Sequence, residues 1–582
     1  MKKVKRAAAV LLVASMLLSS PAWAAEKPLP AVQVAGTVTK VVQQEGGVTI
    51  PLPAKPELTE AQRQILENFY QIVPELKALS LDGVYDAREN SWGASLSDRS
   101  GGDLSGEADP GIHGVHANIT FDTKTGELVR FHVQNPEWAT LELPSPALAK
   151  EKAAAFARQV LGDKMKDYQL SDDLGYGGGG FTDDKGNKIE WATATVSFYR
   201  IINGIPLLNN GLRVGVDAAG HVTSFDKEKE DGLDPAEFPD PSCALAQDAA
   251  DKAFAELLEM KLNYIERQPQ KYAIFNRNVE TRPVLVYAAS FPGFIDAGTG
   301  KQLEGLNGNF PPSRHITLNG EGRKLVAGTP EEAADLLAGE FGIDMAGLKF
   351  NGVDVHEERF DPAIKTKGYS WRSEPGREAD SRPDYSAVRH IYLRTLADSG
   401  QVLHFNIQDD SGRGEQGAVS REAAEKTAID LLQRYLEPGA AEMELQVFST
   451  NEEPIPAWVD KSKLQKHLQR PEFSFHFKET YQGIPVSDRY YSVQIDAITG
   501  KITSFHGSNG QAAVALPDSK VVVTAEAAKA EFLKHHPLRL AYIWPEYFDQ
   551  KAPAPYLVYL PSFTTWDYID AFTGKTVVVE RN

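Results

Sequence analysis

The sequence predicts an α+β fold made by repetition: a helix packed on a small antiparallel sheet, multiplied into two duplicated units of three modules each. Three observations predict it. One hairpin phrase recurs along the chain, its copies keep a nearly constant spacing, and amphipathic helical patterns alternate with them.

The phrase is clearest at 494–505, QIDAITGKITSF, and again at 214–225, VGVDAAGHVTSF. Ile495, Ile502 and Phe505 alternate with polar residues at the period of a half-buried strand. Asp496 can accept from turn amides, and Gly500 can take positive φ without steric cost. The pattern therefore reads as a tight β-hairpin. Six turns of this kind carry Asp122, Asp217, Asp296, Asp398, Asp496 and Asp570. The first and fourth lie 276 residues apart, the second and fifth 279, the third and sixth 274. Segments between them keep that offset: 146–162 matches 421–437, 198–210 matches 477–489, KLNYI (261–265) matches RLAYI (539–543), and SWGAS (91–95) matches SWRSE (370–374). The expected units are 57–322 and 323–582.

The helix of one module shows the local logic. Ser145 suits the N-cap and Pro146 the first helical position. Leu148, Ala149, Ala153, Phe156 and Val160 make an apolar stripe, and Gly162 is a C-terminal stop. Residues 191–201 then alternate as a strand and NGIP turns the chain. Such a helix cannot bury its stripe alone, which predicts packing on the sheet. Residues 94–112 and 372–385 read as mobile insertions.

The N-terminus has another composition. Lys2, Lys3, Lys5 and Arg6 precede an apolar run at 7–18, and Ala22-Trp23-Ala24 is a cleavage pattern. Residues 1–24 read as a secretory signal peptide, with an apolar run too short to span a bilayer. Residues 25–56 read as an extended tail. Loss of the leader takes the net charge from −19 to −23, a poor balance for nucleic acid, whose phosphates need basic surface. Cys243 is the one cysteine, so no intrachain disulfide exists and an exported chain must rest on core burial. No later segment reaches 18 consecutive apolar residues, so no membrane span is expected after signal removal, and the chain is placed as secreted or associated with a bacterial cell envelope.

Two segments, FYRIINGIPLLNNGLRVGVDAAGHVTSF and FHFKETYQGIPVSDRYYSVQIDAITGKITSF, resemble the thermolysin-type propeptide motif and the related PepSY domain. There an aromatic-rich strand leads to a Gly-[Val/Ile]-Pro turn, a strand, Asp, Gly and a final strand. The duplicated mature chain resembles the YcdB/YcdC repeat-domain family of exported bacterial proteins. That resemblance implies a module used as intramolecular chaperone and inhibitor of secreted proteases, and it implies no catalytic residues. Asn203-Gly204-Ile205-Pro206 and Gln482-Gly483-Ile484-Pro485 match the motif as fold markers and stand as candidate partner contacts.

No catalytic constellation emerges. The H-E-x-x-H pattern fails at His356-Glu357, whose fifth position is Phe360. His113 and His116 form an H-x-x-H pair before a strand, and metal ligation there is the minor reading. His535 and His536 are adjacent and cannot share a helix face. GYGGGG (175–180) matches a dinucleotide fingerprint but leads into a hairpin, so it reads as a flexible loop. No G-x-S-x-G elbow occurs. Cys243 precedes a helix; a buried or idle thiol is the better reading than an activated one. The acidic stretch 226–234 breaks the Ca²⁺-loop order because Asp231 occupies the glycine position. No cofactor is expected, and a Ca²⁺ site built from surface acids is left open. Trp92 and Trp371 occupy matching phrases; core packing is the default, a shared ligand-facing role the alternative.

The sequence therefore points to a non-catalytic exported protein that binds and inhibits or chaperones an extracellular hydrolase, such as a secreted protease or wall hydrolase. The alternative is a cell-envelope scaffold that grips wall polymer, and an enzyme of unrecognised type comes third.

Overall fold

The structure, a computed structural model, describes residues 57–577 except 88–89, 99–113, 183–186, 229–232, 267–282, 291–292, 304–310, 324, 359–360, 375, 378–382, 385–387, 410–416, 451–454, 467–469, 508–513 and 563–567. The leader, the tail, His113 and most of the expected insertion at 94–112 lie outside the described residues.

In the first half, α1 (Glu60–Ile72) is followed by strands β1 (Ser80–Ala87), β2 (Ser91–Ser97), β3 (His116–Asp122) and β4 (Leu128–Gln134). Helix α2 (Pro146–Leu161) leads to β5 (Tyr168–Thr182), β6 (Lys188–Ile202), β7 (Ile205–Val216) and β8 (Val222–Lys227). Helix α3 (Gln247–Leu257) precedes β9 (Glu259–Ile265), β10 (Val284–Ser290) and β11 (Ile295–Asp296). A connecting strand β12 (Arg314–Gly320) leads into the second half, where α4 (Pro330–Glu340) is followed by β13 (Leu348–Glu358), β14 (Asp361–Ser373), β15 (His390–Leu396) and β16 (Val402–Gln408). Helix α5 (Arg421–Tyr435) leads to β17 (Gly439–Ser449), β18 (Glu472–Tyr481), β19 (Ile484–Asp496) and β20 (Ile502–His506). Helix α6 (Ala525–His535) precedes β21 (Leu538–Ile543), β22 (Tyr556–Pro561), β23 (Tyr568–Asp570) and β24 (Thr576–Val577).

Side-chain caps start every named helix except α3, whose N-cap position holds Ala246. Thr59 with Gln62 and Thr329 with Glu332 form capping boxes, and Ser145 accepts from the Leu148 amide. Helix α2 stops at Gly162, whose φ of 56° favours glycine. Its buried stripe is Ala149, Ala153, Phe156, Ala157 and Leu161, rotated slightly from the expected one, with Leu148 and Val160 half-buried. These residues share a buried cluster with Ile119, Phe131, Val196, Phe198, Val214 and Phe225 of the strands. A second cluster joins Ala333, Leu337, Ala424 and Leu431 to Phe405, Phe475, Val493 and Phe505.

Strand pairing then departs from two self-contained halves. The first large sheet runs β1-β2-β3-β4-β8-β7-β21-β22-β11, with β6 and β5 beside β7. The second runs β13-β14-β15-β16-β20-β19-β9-β10-β23-β24, with β18, β17 and β12 beside β19. Each sheet thus receives strands from the far end of the other half. β7 meets β21 in parallel at Leu207 and Tyr542, and β19 meets β9 in parallel at Val486 and Tyr264. The short closing strands cross as well: β11 pairs with β22 and β23 with β10. A third buried cluster is made jointly by Leu207, Phe254, Tyr264, Leu285, Ile295 and by Val486, Phe532, Tyr542, Leu557, Ile569.

Four sequence readings need correction. GYGGGG is the middle of the long edge strand β5, paired residue by residue with β6, and not a loop. Two of its glycines have a packing reason: a Cβ at Gly179 would lie 2.7 Å from the Trp191 ring, and one at Gly180 2.9 Å from Glu190. Trp92 and Trp371 are not equivalent. Trp92 faces Phe121, one residue before Asp122, whereas Trp371 faces Ile391, far from the Asp398 turn. At 4% and 5% exposure neither indole is presented to a ligand arriving from solvent; Trp92 stacks on Phe121 at 5.0 Å and Trp371 lies against Phe350. Asp398 is not the counterpart of Asp122: the Gly126 amide closes on the Asp122 carbonyl, and the Gly400 amide closes on Leu396. Cys243 is exposed, which removes the buried alternative of its reading and leaves the idle one.

Candidate functional site

Four of the closing turns are built alike. One carboxylate oxygen of Asp122, Asp296, Asp496 or Asp570 accepts from the amide and hydroxyl of the threonine three residues on, at 2.6–2.9 Å. That is an Asx-type turn, and it explains why Asp and Thr recur at this spacing. Asp496 differs in environment, because it is 1% exposed and its second oxygen pairs with Arg470. Burial works to raise its pKa, but the hydrogen bonds from Arg470 and Thr499 outweigh it and hold the carboxyl below its ordinary value. Asp496→Ala removes a buried acceptor from both the Thr499 turn and the Arg470 guanidinium and is expected to cost about 2–3 kcal/mol. The same change at the half-buried Asp122 should cost about 1 kcal/mol. Chemical denaturation of the two variants checks the contrast, and equal losses would refute it.

The two motif turns form tight hairpins with positive φ at both central residues: Asn203 49°, Gly204 79°, Gln482 52° and Gly483 76°. Their tips are exposed, but their polar groups serve the chain itself. Asn203 donates to the Pro235 carbonyl at 3.0 Å, and Gln482 accepts from the Ser519 amide and hydroxyl. Ile205 and Pro206 lie opposite Ile202 and Ile201; Ile484 and Pro485 lie opposite Tyr481 and Thr480. Each turn delivers the next strand to the parallel contact between halves.

That junction is rich in polar contacts, and its bonds come in reciprocal pairs. Tyr264 donates to the Pro517 carbonyl, and Tyr542 to that of Pro239. Tyr287 donates to Val523 at 2.6 Å, and Tyr559 to Leu245 at 2.8 Å. The Ala297 amide donates to Leu557 and the Ala571 amide to Leu285. The Glu266 amide donates to Asp488, and the Trp544 amide to Asn209. Burial raises the pKa of all four tyrosines, so they stay protonated donors. One ion pair, Arg489 with Glu266, adds to the set. Sequence had marked KLNYI and RLAYI as equivalent without showing that they cross.

The two halves differ most on the sheet face opposite the helices. In the first, Arg130 on β4 faces Asp226 on β8 and pairs with it at 3.4 Å. At the matching register of the second, His404 faces His506, with Arg394 opposite His404. Ser492 lies beside His506 and His476, and the Tyr490 ring stacks on His506 at 4.9 Å. Burial lowers the pKa of His476 to about 4, aided by Lys478. Burial and then His404, Arg394 and His476 lower that of His506 to about 4. These imidazoles are neutral at pH 7.

Other candidates do not assemble. His356 lies on a strand, not a helix, and pairs with Asp354. His535 bonds Glu531 on its own helix, while His536 is buried against the Ser562 carbonyl. Among the described residues, no group of three or more His, Cys, Asp or Glu is placed to hold a metal, and no helix is long and apolar enough to cross a membrane.

A family described as the YcdB, YcdC repeated domain matches residues 85–229 and again 364–509. Both matches end before α3 and α6, so the exchanged strands lie outside them. No curated protein matches. Among solved structures, the C-terminal domain of YpeB from Bacillus megaterium aligns with 14% identity and a TM-score of 0.22, over 44% of this chain and 98% of that one.

Proposed function

The chain belongs to the YcdB/YcdC repeated-domain family, and on that premise we propose that it is an exported, non-catalytic bacterial protein that binds and modulates a secreted or wall-associated hydrolase. Its leader would be residues 1–24 and its tail 25–56, with duplicated units at 57–322 and 323–582, each of three helix-and-hairpin modules. The observation that carries the reading is the edge strand β13. Among the described residues it pairs only with β14, and it exposes Phe350, Val353 and Val355 at 46%, 48% and 61%. Charge usually protects an edge, and β13 carries Lys349, Asp354 and Glu357, but its exposed row of apolar side chains still offers a surface for strand addition by an extended segment of another protein. The scaffold reading leaned on exposed Trp92 and Trp371, and their burial removes that support.

The test is capture from the secreted and wall proteome with residues 25–582 as bait. One enriched hydrolase is the expected result. A Val353→Lys/Val355→Lys bait should lose it at least tenfold while keeping its melting temperature. Repeated recovery of no enzyme, or undiminished recovery by the charged bait, would sink the reading.

A further inference from the structure

We infer that a pocket on the first sheet, between Trp138 and Trp191, binds a single neutral sugar ring. The pocket measures about 100 Å³ and lies between the end of β4, the start of β6 and the β7–β8 turn. Trp191 and Thr193 alternate with the core residues Ala192 and Ala194, which puts them on the face away from the helices.

Its chemistry is aromatic and polar but not ionic. The walls are two indoles; Gln134, Asn135, Thr193 and Thr223 add amides and hydroxyls. No lysine or arginine lines it, and its one imidazole, His132, has its pKa lowered by burial, so it offers no fixed positive charge for a phosphate or carboxylate. Asp217 lines it, yet both its oxygens are already committed. Oδ1 accepts from the Ala219 and His221 amides at 3.0 and 2.8 Å, and Oδ2 pairs with His221 Nδ1 at 2.8 Å. A cation therefore finds no open carboxylate. Flat apolar faces with neutral hydrogen-bonding groups suit a pyranose, which has apolar C–H faces and a hydroxyl rim.

Both indoles are held in advance. Trp138 stacks on His221 with ring centroids 4.1 Å apart and planes 13° from parallel. Trp191 rests over Gly179, where a Cβ would lie 2.7 Å from its ring. Such preorganisation reduces the ordering cost of binding.

The other unit provides an internal control. Glu472 faces Asp496 on β18 and β19, at the register of Thr193 and Asp217, and Arg470 stands where the first unit has Trp191. There Arg470 pairs with Asp496 and fills the position with charge. Replacing the arginine by tryptophan, and satisfying the aspartate with His221, is what makes the site aromatic at this position of the first unit.

Residues 25–582 would be titrated with methyl β-glucoside, N-acetylglucosamine and adenosine, read by tryptophan fluorescence and saturation-transfer NMR. The expected result is saturable millimolar binding of at least one sugar. Trp191→Arg, which copies the second unit, should weaken it at least tenfold; Thr193→Glu serves the same purpose should the first variant fail to fold. Absence of saturable sugar binding, a response to adenosine alone, or sugar binding unchanged in a folded variant would overturn the assignment. None of these outcomes depends on the hydrolase partner.

Discussion

Phe254→Ala is expected to destabilise the molecule by about 3–5 kcal/mol, and to lower the stability of both large sheets together. Phe254 is a fully buried residue of α3 in the first half, yet its cluster contains Val486, Phe532, Tyr542 and Leu557 of the second. A cavity there removes apolar contact from strands that complete both sheets. Thermal unfolding followed by circular dichroism and by amide exchange should show one shifted transition, with losses of protection in β7 and β19 alike. Two transitions, only one of them shifted, would mean that the halves are energetically separate. A chain supplied as two polypeptides, 57–303 and 311–582, gives the complementary result: co-expressed halves should purify as one 1:1 complex. The reciprocal bonds of Tyr264 and Tyr542 and the crossed amides of Ala297 and Ala571 hold them without the covalent link. Halves that separate as folded monomers would refute the exchange as a stabilising feature.

What the sequence displayed and what it concealed divide along the range of the interaction. Hairpin turns and helix caps are local. Asp496, Thr499 and Gly500 lie within five residues of one another, and Ser145 caps a helix three residues away. Their spacing is a direct consequence of the bonds they make. The choice of strand partner is not local. KLNYI and RLAYI are nearly the same sequence, so β7 and β19 present similar edges to both, and no residue in either phrase specifies which half it joins. The relevant constraint is three-dimensional: how the chain leaves one sheet and reaches the other. Register is similarly hidden. Trp92 and Trp371 share a Ser-Trp phrase, but their places are set by pairing with β3 and β15, which differ at the two sites. The sugar pocket escaped for a related reason. Trp138, Trp191, Asp217 and His221 are dispersed over more than 80 residues and match no motif; only the contrast of Trp191 with Arg470 at one offset carried a trace of it.

Acid should weaken the second sheet before the first. His476 and His506 have folded pKa values near 4, against 6.5 ordinarily, so the unfolded chain binds their protons more readily than the folded one. Stability from these groups is therefore complete above pH 6.5, declines as pH falls, and is exhausted near pH 4, at up to ~1.4 kcal/mol per pH unit for each imidazole. The physical cause is crowding of half-buried rings: a proton on His506 would face His404 and Arg394, and one on His476 would face Lys478. At the register of His404 and His506 the first sheet places Arg130 and Asp226, and although burial also lowers His116 and His132 there, it does so less far than at His476 and His506. Between pH 7 and 5 the melting temperature should drop by about 5 °C or more. His476→Gln/His506→Gln should flatten that slope even if it lowers the value at pH 7, because glutamine does not titrate. Amide exchange at pH 5 should show loss of protection in β16, β19 and β20 ahead of β4, β7 and β8. An unchanged pH slope in the double variant would show that the acid response arises elsewhere, in the carboxylates. A slope removed by it would make the histidine row the acid-sensitive element of a chain whose two halves share one core.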